Sequence, residues 1–394
     1  MRILVFTSLF PNNIYKQHGI FIKNRLLHLS KIQGYKVTVL APVPYAPSWF
    51  PFEPWSAYSR VKKEESIDVM TIYHPRYPLV PKLSMPLHGL LMYAACKRFV
   101  DKHLSEFPYD LIDGHYIYPD CLAAALLGKA FQKPVFVSAR GSDVNQFTRF
   151  KAIKPQIKWT LEQAEHVVSV CSALKQEMVD LGIAEHKISV VPNGVDTNTF
   201  TLSDRTTARQ RLAIASGEKV ILSVGSLIDR KGFDYLIQAM PHVLESYSHA
   251  CLYLIGAGPE EQHLRGLAHR LNIAEHVVFV GQVPNPDLPS WYNAADVFCL
   301  ASSREGWANV IMESLACGTP VVATNVWGAP EIITNPSVGL LVDRTVEDIA
   351  GGLCRTLSRQ WDRDLIAEHV RKRDWDAVAD ELHALYSQKL SKDV

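Results

Sequence analysis

Cysteine is scarce in this 394-residue sequence, and its seven copies show no pairing pattern. Their number is odd, no Cys-x-x-Cys spacing occurs, and several lie within apolar runs such as VFCLA and ACLYLIG. A disulfide framework or a zinc site would need pairs at characteristic spacings. We therefore interpret the cysteines as small buried hydrophobic residues in a reducing compartment.

Long hydrophobic runs are also missing. No stretch approaches the ~20 apolar residues that span a bilayer. The first residues, MRILVFTSLFPNN, contain a short apolar run but no small-residue cleavage site, so we expect a first strand rather than a signal peptide. These features predict a cytoplasmic protein.

Net charge is close to zero, at +1, but it is unevenly distributed. Residues 1–195 contain 23 Lys and Arg against 15 Asp and Glu, a balance of +8, whereas the rest contains 18 against 25, a balance of −7. A basic first half suits an anionic acceptor or peripheral contact with the inner face of a membrane, and the stretch 149–159, RFKAIKPQIKW, could lie on such a surface. The alternatives are uneven surface charge without a partner and a solvated helix face.

Short β-branched runs alternate with helix-length spacers along the whole sequence. Hydrophobic residues make up 47% of the chain, enough for a buried core, and the length allows about two to three domains. We predict strands at 2–6, 36–41, 69–73, 111–114, 135–139, 166–170 and 188–191, and then at 220–224, 251–255, 277–280, 297–300, 320–323 and 339–342.

This alternation predicts an α/β fold whose parallel sheets are covered by helices on both faces. Two series of strands, joined around Pro192-Asn193-Gly194, predict two Rossmann-like doubly wound domains that face each other across a cleft. We place the first domain at 1–192 and the second at 193–375, and we expect a final helix in 376–394 to pack back on the first. Ligands of such sheets bind outside the carboxyl ends of the strands.

The stretch 305–324, EGWANVIMESLACGTPVVAT, places one carboxylate, Glu305, on a glycine-bearing loop and a second, Glu313, inside the helix that follows. Gly-Thr-Pro then ends this helix before a β-branched strand. A helix amino end offers N–H groups and partial positive charge to a phosphate, and flanking carboxylates can accept hydrogen bonds from sugar hydroxyls. The arrangement fits a nucleotide-sugar. An ordinary helix with one solvated glutamate is the alternative.

The stretch 220–232, VILSVGSLIDRKG, predicts a strand, a glycine turn and two adjacent cations, Arg230 and Lys231. A diphosphate leaving group gains negative charge as its bond to the sugar breaks, so cations placed there favour the transition state. Arg-Lys pairs are common on protein surfaces. This pair indicates a diphosphate site because it follows a strand and a glycine turn in the same predicted domain as the Glu305 segment.

With these motifs, the sequence resembles the retaining glycosyltransferases of family 4, which have the two-Rossmann GT-B architecture. VGSLIDRKG, FVGQVP and EGWANVIMESLACGTPVVAT occur in the order and spacing of the family, and the likeness extends over nearly the whole chain. In the first half, LFPN, HGIFI and SARGSD resemble members that build bacterial envelope polysaccharides.

The resemblance implies roles for individual residues. Glu313 would hold the ribose hydroxyls, Lys231 with Arg230 would bind the diphosphate, and Glu305 would accept hydrogen bonds from the donor sugar. Backbone N–H groups would face the sugar and phosphate from Gly306, Trp307, Ala308 and Asn309, and the nucleobase would be lined by Gly281, Gln282 and Val283.

Two further roles fall in the first half of the chain. Gly19 would let the backbone approach the phosphate closely, and His115 would lie beside the reacting sugar as a catalytic residue. A lone histidine is more often structural, so the role of His115 rests on the resemblance.

The sequence departs from the family pattern at two places. Gly225-Ser226 stands where the family often has Gly-Arg, which removes one phosphate cation that Arg230 could replace. Trp307 and Ala308 replace the Phe-Gly of the common EGFG form, which predicts a narrower pocket. Both changes bear on the identity of the donor more than on the reaction.

The resemblance also implies how the reaction proceeds. Retention needs no protein nucleophile if the leaving phosphate deprotonates the incoming hydroxyl, and we find no pair of acid and nucleophile carboxylates of the glycosidase kind. We expect no cofactor and no metal, because Arg230 and Lys231 can neutralise the diphosphate. The Asp-x-Asp patterns at 362–364 and 374–376 lie in polar helical sequence and read as solvated helix faces.

We expect three kinds of contact outside the protein. The partners are a nucleotide-sugar donor, a glycan or lipid-linked glycan acceptor and an anionic membrane surface, with no nucleic acid. Donor sugar, base, acceptor and linkage are not specified by the sequence.

Three other functions compete with this one. A dinucleotide-dependent dehydrogenase needs GxGxxG after a strand, but the first strand runs into TSLFPNN, and Gly256-Ala257-Gly258-Pro259 has no third glycine. An epimerase or hydrolase of nucleotide-sugars with the same fold would need a base at the sugar. A non-catalytic partner subunit that binds nucleotide-sugars is the third, and the presence of Glu305, Glu313 and Lys231 argues against it.

Overall fold

The computed structural model describes residues 1–45, 55–80, 84–104 and 108–391. The chain forms two compact units. The first contains Met1–Asn193 together with Trp375–Val394, and the second contains Gly194–Asp374. The chain therefore leaves the first unit once and returns to it with its last helix.

Helices alternate with strands along the chain. In chain order, the helices are α1 (Ile20–Lys31), α2 (Trp55–Ser59), α3 (His88–His103), α4 (Leu122–Phe131), α5 (Ser142–Asn145), α6 (Lys154–Gln163), α7 (Ser172–Asp180), α8 (Arg205–Arg211), α9 (Phe233–Ser246), α10 (Glu261–Arg270), α11 (Leu288–Ala294), α12 (Asn309–Ala316), α13 (Ala329–Ile332), α14 (Val346–Ser358), α15 (Arg363–Arg371) and α16 (Trp375–Leu390).

The first unit is built on an eight-stranded sheet with the order β10-β9-β8-β7-β1-β2-β5-β4. Neighbouring strands are parallel except for the pair β4 and β5. A separate parallel pair is formed by β3 and β6. The strands are β1 (Arg2–Phe6), β2 (Lys36–Leu40), β3 (Val43–Pro44), β4 (Glu64–Ile67), β5 (Met70–Tyr73), β6 (Arg76–Tyr77), β7 (Leu111–His115), β8 (Val135–Ala139), β9 (His166–Ser169) and β10 (Ile188–Val190).

Central strands of this sheet are buried on both faces. Every residue of β7 and of β8 is buried, although β7 contains Asp113 and His115. One face is covered by α1 and α16, whose Trp375 and Tyr386 belong to the same hydrophobic cluster as Ile22 of α1. Burial on both faces explains why the strands read as continuous apolar runs.

The second unit is built on a six-stranded sheet that is parallel throughout, with the order β13-β12-β11-β14-β15-β16. Two hydrophobic clusters pack on its two faces. Its strands are β11 (Lys219–Val224), β12 (Ala250–Ile255), β13 (Val277–Gly281), β14 (Val297–Leu300), β15 (Val321–Thr324) and β16 (Gly339–Val342).

The strands predicted from the sequence are all present, each with bounds within one residue of the prediction. The sequence prediction missed β3, β4 and β6. Of these, β4 has the polar sequence EESI, whose side chains are exposed or half-buried at the sheet edge. An edge strand of this kind lacks the apolar run by which the others were found.

Candidate active site

The candidate site of the second unit lies where the strand order reverses. From β11 the chain builds the sheet outward through β12 and β13, and then returns to the other side of β11 with β14. The loops after β11 and β14 therefore diverge from the carboxyl ends of two paired strands. Open α/β sheets bind ligands at such a point. Lys231 lies on the first of these loops and Glu305 on the second.

Two glycines determine how closely these loops approach. Gly232 has φ 68°, in the left-handed region, and a Cβ atom there would lie 2.1 Å from the carbonyl oxygen of Ala301. Any other residue would clash with backbone that cannot move aside. At Gly225, the stem of Lys231 passes 3.6 Å from the position of a Cβ atom, so the lysine lies along the glycine turn.

Polar side chains from both loops converge on the carboxylate of Glu305. Its Oε1 accepts hydrogen bonds from Lys231 Nζ at 2.5 Å and from Ser302 Oγ at 2.7 Å. Arg230 NH1 lies 3.7 Å from Oε2 of the same carboxylate. Three donors from two loops thus surround a carboxylate that is only 7% exposed.

The charge state of Glu305 follows from these neighbours. Burial alone would raise the pKa of the carboxyl, but Lys231 and then Arg230 outweigh it, so the pKa lies below its usual value. Glu305 is therefore ionised at neutral pH. The ion pair fixes the ammonium group of Lys231 at the carboxyl edge of the sheet.

Arg230 also ties the two loops together through the backbone. Its NH1 donates to the carbonyl of Arg304 at 2.7 Å, and its own carbonyl accepts from the N–H of Ser303 at 2.9 Å. The side chain of Arg230 is 30% exposed, compared with 15% for Lys231. Part of the guanidinium therefore faces solvent and can meet an anion.

The loop after Glu305 leads directly into α12. Gly306, Trp307 and Ala308 connect the carboxylate to Asn309, the first residue of the helix. No side chain caps this amino end, so the helix presents backbone N–H groups and partial positive charge there. Trp307 packs against the hydrophobic cluster, and its buried indole N–H has no acceptor within the described residues.

Glu313 lies one turn inside α12. Its Oε2 accepts a hydrogen bond from Tyr292 Oη on α11 at 2.8 Å. Burial raises the pKa of Glu313 to about 7, and the tyrosine hydroxyl offsets only part of this effect. Glu305 and Glu313 thus differ in protonation near neutral pH, because only the first has cations beside it.

Gly281, Gln282 and Val283 lie at the end of β13, on the same edge of the sheet. Gly281 has φ 82°, and its carbonyl accepts from the N–H of Gly256 at 2.8 Å, which links the ends of β12 and β13. Gln282 is exposed, and Val283 is half-buried against the cluster that contains Trp307. These residues share the edge with Lys231 and Glu305 but are not in hydrogen-bond contact with them.

In the first unit the strand order reverses between β1 and β7. The loop after β1 is held to the turn after β7, because the N–H and hydroxyl of Ser8 donate to Asp120 at 2.5 and 3.1 Å. Gly19, with φ 67°, begins α1 beside this loop, and a Cβ atom there would lie 2.0 Å from the carbonyl oxygen of Leu9. The loop itself thus explains the glycine, and contact of Gly19 with phosphate stays a prediction.

His115 ends β7 at this point and is fully buried. Its Nδ1 lies 2.7 Å from Arg140 NH2, and its Nε2 lies 3.3 Å from Asp113 Oδ2. A guanidinium has only donors, so Nδ1 must be the unprotonated acceptor and Nε2 must carry the proton. Burial, partly offset by Asp113, lowers the pKa of His115 to about 4. The imidazole is neutral, and each ring nitrogen faces a charged protein group.

Arg140, in the SARGSD run, completes this arrangement from the carboxyl end of β8. Its NH1 donates to Asn193 Oδ1 at 2.9 Å, and its backbone N–H donates to Asp143. Asp113 accepts from Tyr386 Oη of α16 at 2.9 Å and lies 3.7 Å from Arg25 of α1. A buried polar network therefore joins the catalytic candidate His115 to two helices and a second strand.

Several of these partners were not identified from the sequence: Ser302, Tyr292, Asp113, Arg140 and Tyr386. SARGSD was noted only as a family likeness, and no spacing rule connects Tyr386 to a strand far earlier in the chain. Asp113 and His115 carried a usable signal, since both interrupt a strand that is otherwise apolar.

Each Asp-x-Asp pattern has an aspartate in contact with another part of the protein. Asp362 caps α15 by accepting from the N–H of Leu365, and Asp376 in α16 pairs with His28 at 2.5 Å. The second pattern thus makes a hydrogen-bond contact with α1 and is not only a solvated helix face. No group of three potential His, Cys, Asp or Glu ligands occurs among the described residues.

Comparison with family models matches the two halves of the chain in turn. The model described as Glycosyltransferase Family 4 matches residues 20–199, and the model described as Glycosyl transferases group 1 matches residues 204–373. Together they span most of the sequence. The chain belongs to the family 4 and group 1 glycosyltransferases.

Relatives of this glycosyltransferase are found in archaea and bacteria. It is 32% identical over 247 residues to an uncharacterised glycosyltransferase of Methanocaldococcus jannaschii, a match that covers 60% of the chain and 63% of that protein, less than two thirds of its length. It is 28% identical over 363 residues to TuaC of Bacillus subtilis, a putative teichuronic acid biosynthesis glycosyltransferase, with 90% of the chain and 89% of that protein covered.

Solved structures show that the glycosyltransferase has the GT-B fold. Sucrose-phosphate synthase of Thermosynechococcus elongatus matches with a TM-score of 0.81 at 20% identity, over 99% of each chain. HepE of Anabaena, solved in complex with UDP, matches with a TM-score of 0.73 at 18% identity, over 98% of this chain and 100% of that one. At such identities the likeness establishes the fold alone.

Throughout the described ranges, no helix combines the length and the hydropathy needed to cross a bilayer.

Proposed function

We propose that this glycosyltransferase moves a sugar from a nucleoside diphosphate sugar to a glycan or lipid-linked glycan in cell-envelope polysaccharide biosynthesis. The observation that carries the proposal is the convergence of Lys231 and Arg230 on Glu305 at the switch point of the second sheet, beside the amino end of α12. The UDP complex of HepE supports a nucleotide donor, and the likeness to TuaC, a putative teichuronic acid biosynthesis glycosyltransferase, supports a polysaccharide product.

Lys231 and Arg230 would bind the diphosphate and stabilise the charge that grows on it. The ammonium group of Lys231 is held by Glu305, so the protein itself fixes its position. A preorganised cation needs no rearrangement as the bond breaks, which is the usual source of electrostatic catalysis. Glu305, ionised and buried, would keep Oε2 for hydroxyl groups of the donor sugar.

Transfer would proceed with retention and without a protein nucleophile. The bond between the anomeric carbon and the phosphate oxygen breaks, and the acceptor oxygen bonds to the same face of that carbon. The acceptor proton passes to the leaving phosphate. Arg230 and Lys231 stabilise the phosphate while it acts as the base.

His115 would position the sugar rather than remove its proton. With a pKa of about 4 and Nδ1 already accepting from Arg140, the imidazole is a poor base at neutral pH. Since Nε2 faces Asp113 and Nδ1 faces Arg140, the carbon edge of the ring is the part that remains to contact the sugar. This assignment follows the family resemblance. The contacts of His115 with Arg140 and Asp113 hold the ring in one orientation.

The proposal is tested first by donor binding. The purified chain is heated with a panel of UDP- and GDP-sugars, and the shift of its melting temperature is measured. One donor should raise the melting temperature, and EDTA should leave both this shift and the turnover unchanged, because Arg230 and Lys231 supply the two positive charges. No shift with any nucleotide-sugar would contradict the proposal.

Two substitutions test the assigned contacts in turnover assays. Lys231→Ala and Glu313→Ala should each lower kcat/KM by roughly a hundredfold or more, as expected for transition-state contacts. Lys219→Ala is the matched control, because Lys219 begins the strand whose carboxyl end leads to Lys231. Near-normal rates in both site variants, with folding verified by circular dichroism, would refute the roles of these residues.

The same assays separate the proposal from its alternatives. Release of nucleoside diphosphate in the absence of any acceptor would indicate a hydrolase, and a changed sugar configuration would indicate an epimerase. Donor binding without turnover on soluble or lipid-linked acceptors would indicate a non-catalytic partner subunit. NMR of the product determines whether the anomeric configuration is retained.

A further inference from the structure

Non-glycine residues with a positive φ lie mostly where the chain ordinarily turns. Within the described ranges there are six of them. Three follow a helix end and one lies in a hairpin turn: Gln132, Ala213, Asn272 and Asp68. The other two, Tyr116 and Trp327, are aromatic residues that come shortly after the carboxyl ends of β7 and β15. A positive φ is a genuine outlier for a residue of this bulk.

Trp327 is the second residue of a tight turn over 326–329. The N–H of Ala329 donates to the carbonyl of Val326 at 3.1 Å and closes this turn, and Trp327 has φ 51°. Turns with a positive φ at the second position normally have glycine there. In this chain the glycine comes one position later, at Gly328, whose φ of −77° suits any residue. The bulky side chain therefore occupies the strained position.

This turn lies against the loop that carries Glu305. The two segments follow β14 and β15, which are neighbours in the sheet. Thr324 Oγ1 donates to the carbonyl of Ser302 at 2.6 Å, and the N–H of Gly328 lies 3.5 Å from the carbonyl oxygen of Glu305. Trp327 is thus directly before a residue that contacts the backbone of Glu305.

The indole of Trp327 is half-buried, and it belongs to neither hydrophobic cluster of the second unit. Among the described residues it makes no hydrogen bond, ring contact or cation contact. Trp307, two residues after Glu305, packs against a cluster instead. Packing in the core therefore does not account for Trp327. Strained backbone of this kind is typical of ligand-binding segments, where the surrounding structure maintains it.

We propose that Trp327 is a sugar-binding residue whose indole stacks on a sugar ring beside Glu305. An indole has a flat apolar face that can cover the apolar face of a sugar, and an N–H at its edge for a hydroxyl group. The strained turn would hold the indole in one position, which lowers the entropy lost when the sugar binds. Glu305 would accept hydrogen bonds from hydroxyls at the rim of the same ring.

This inference rests on the proposed function, because it requires a sugar at the Glu305 loop. Both the donor sugar and the terminal sugar of the acceptor have the chemistry that an indole recognises. Binding measurements on the full chain distinguish the two.

Three substitutions separate the aromatic ring from the backbone strain. Trp327→Phe keeps a flat aromatic face, Trp327→Ala removes the ring, and Trp327→Gly removes both the ring and the strain. The phenylalanine variant should keep kcat/KM within about threefold of the wild type, and the other two should each lose roughly tenfold. Trp327→Gly should melt about 2–4 °C above Trp327→Ala, because glycine adopts a positive φ without strain.

Calorimetry and acceptor kinetics then identify the stacked sugar. The probes are the nucleotide-sugar of the UDP and GDP panel that stabilises the wild type, and the free nucleoside diphosphate with the same base. If the ring belongs to the donor, Trp327→Ala should raise the Kd of the nucleotide-sugar by roughly tenfold and leave that of the free diphosphate unchanged. If it belongs to the acceptor, both Kd values should stay the same and the KM of the acceptor should rise.

Ala213→Gly is the matched control. Ala213 has φ 54° and lies beyond the end of α8 in the same unit. Its replacement by glycine should raise the melting temperature by a similar amount and leave kcat/KM unchanged. A purely structural tryptophan would give the opposite pattern at position 327. Trp327→Ala would then melt at a lower temperature while its kcat/KM stayed at the wild-type level, and the inference would be overturned.

Two further results would also overturn it. Equal rises in the Kd of the nucleotide-sugar and of the free diphosphate would place the indole on the nucleobase. Equal melting temperatures of Trp327→Gly and Trp327→Ala would show that the turn is not strained. A wild type that binds no nucleotide-sugar contradicts the proposed function and this inference together, whereas normal wild-type turnover with an unaffected Trp327→Ala contradicts this inference alone.

Discussion

At the level of single residues, Glu305 and Glu313 have opposite electrostatic environments. Lys231 and Arg230 outweigh the burial of Glu305 and keep its pKa low, whereas Glu313 has only a tyrosine hydroxyl beside it and its pKa is raised to about 7. Pairs of carboxyl groups whose pKa values are pushed apart commonly serve different roles in one site. Here the difference bears on nucleotide binding.

Donor affinity should therefore depend on pH through Glu313. In its proposed role, the ionised carboxylate would accept hydrogen bonds from two ribose hydroxyls, and protonation below pH 7 would remove this capacity. With a pKa of about 7, the ionised fraction falls by about tenfold between pH 8 and pH 6, so the Kd should rise by up to about tenfold. Calorimetry with an intact nucleotide-sugar measures this, since its diphosphate does not titrate in that range.

Glu313→Gln is the control for this pH effect. The variant should bind the donor more weakly at pH 8 and lose the pH dependence. Its stability should move in the opposite direction. A folded-state pKa raised above the unfolded value means that stability is lost as pH rises towards 7, so the variant should be more stable than the wild type at pH 8, by roughly 1–3 kcal/mol. A pH-dependent Kd in Glu313→Gln would assign the effect to another group.

Arg140 acts on His115 as a positioning residue. Its guanidinium donates to Nδ1, which fixes the imidazole as the Nε2–H tautomer, and its charge contributes to the low pKa of the ring. In Arg140→Ala, the pKa of His115 should rise from about 4 towards its ordinary value, and the tautomer should no longer be fixed. Nitrogen-15 NMR of the ring reports both quantities.

A purely structural role of Arg140 would give a different result. The melting temperature would fall while the ring nitrogens of His115 kept the same chemical shifts and pKa. Arg98→Ala is a matched control, since Arg98 is an exposed arginine of the same unit. An unchanged His115 titration in Arg140→Ala would remove the positioning role.

At the level of elements, α16 is part of the first unit although it is the last helix of the chain. Trp375 and Tyr386 lie in the core cluster against α1, and the Tyr386 ring packs on Phe136 of β8 at 4.8 Å. Tyr386 also donates to Asp113, so the helix supports the strand that carries His115. The element thus links the packing of the unit to its polar network.

Tyr386→Phe should destabilise the protein by about 1–3 kcal/mol, because the variant removes a donor from the buried carboxylate of Asp113. Oδ1 of Asp113 already lacks a hydrogen-bond partner within the described residues. Urea unfolding monitored by fluorescence measures the change. Tyr45→Phe, at an exposed tyrosine, should stay within about 0.5 kcal/mol of the wild type. Equal stability of both variants would show that Asp113 does not depend on this hydroxyl.

At the level of the whole molecule, the second unit is one continuous segment, Gly194–Asp374. Its two ends are adjacent, because Val195 pairs with Asp374 and the N–H of Val195 donates to the carbonyl of Arg373 at 3.0 Å. A continuous segment with adjacent ends and its own core satisfies the usual conditions for independent folding.

The fragment 194–374 should therefore fold alone and bind nucleotide. The predicted nucleotide contacts other than that of Gly19 lie within it, so it should unfold cooperatively and gain stability with the donor that stabilises the full chain. Differential scanning calorimetry measures both effects. The same fragment with Lys231→Met is the control and should fold without responding to the donor. A fragment that unfolds without a cooperative transition would show that the unit depends on the rest of the chain.

The fold was largely predictable because its strands are buried on both faces. A run such as VFVSA in β8 must be apolar throughout to lie between two helical layers, and such runs identified every strand of the second sheet. The polar edge strand β4 was not predicted, since two of its four side chains are exposed. The placement of Lys231 and Glu305 in loops that follow strands of the same sheet was also predictable, because each comes directly after a predicted strand.

The sequence by itself determined the alternation of elements, the placement of cations and carboxylates at strand ends, and the family likeness. These depend on local runs and short spacings along the chain. Only the tertiary structure decided which groups meet: Lys231 with Glu305, Tyr292 with Glu313, and Tyr386 with Asp113. It also decided that Glu305 stays ionised while Glu313 has a pKa of about 7. Such pairings and pKa values arise from burial and from neighbours distant in sequence, which no local pattern encodes.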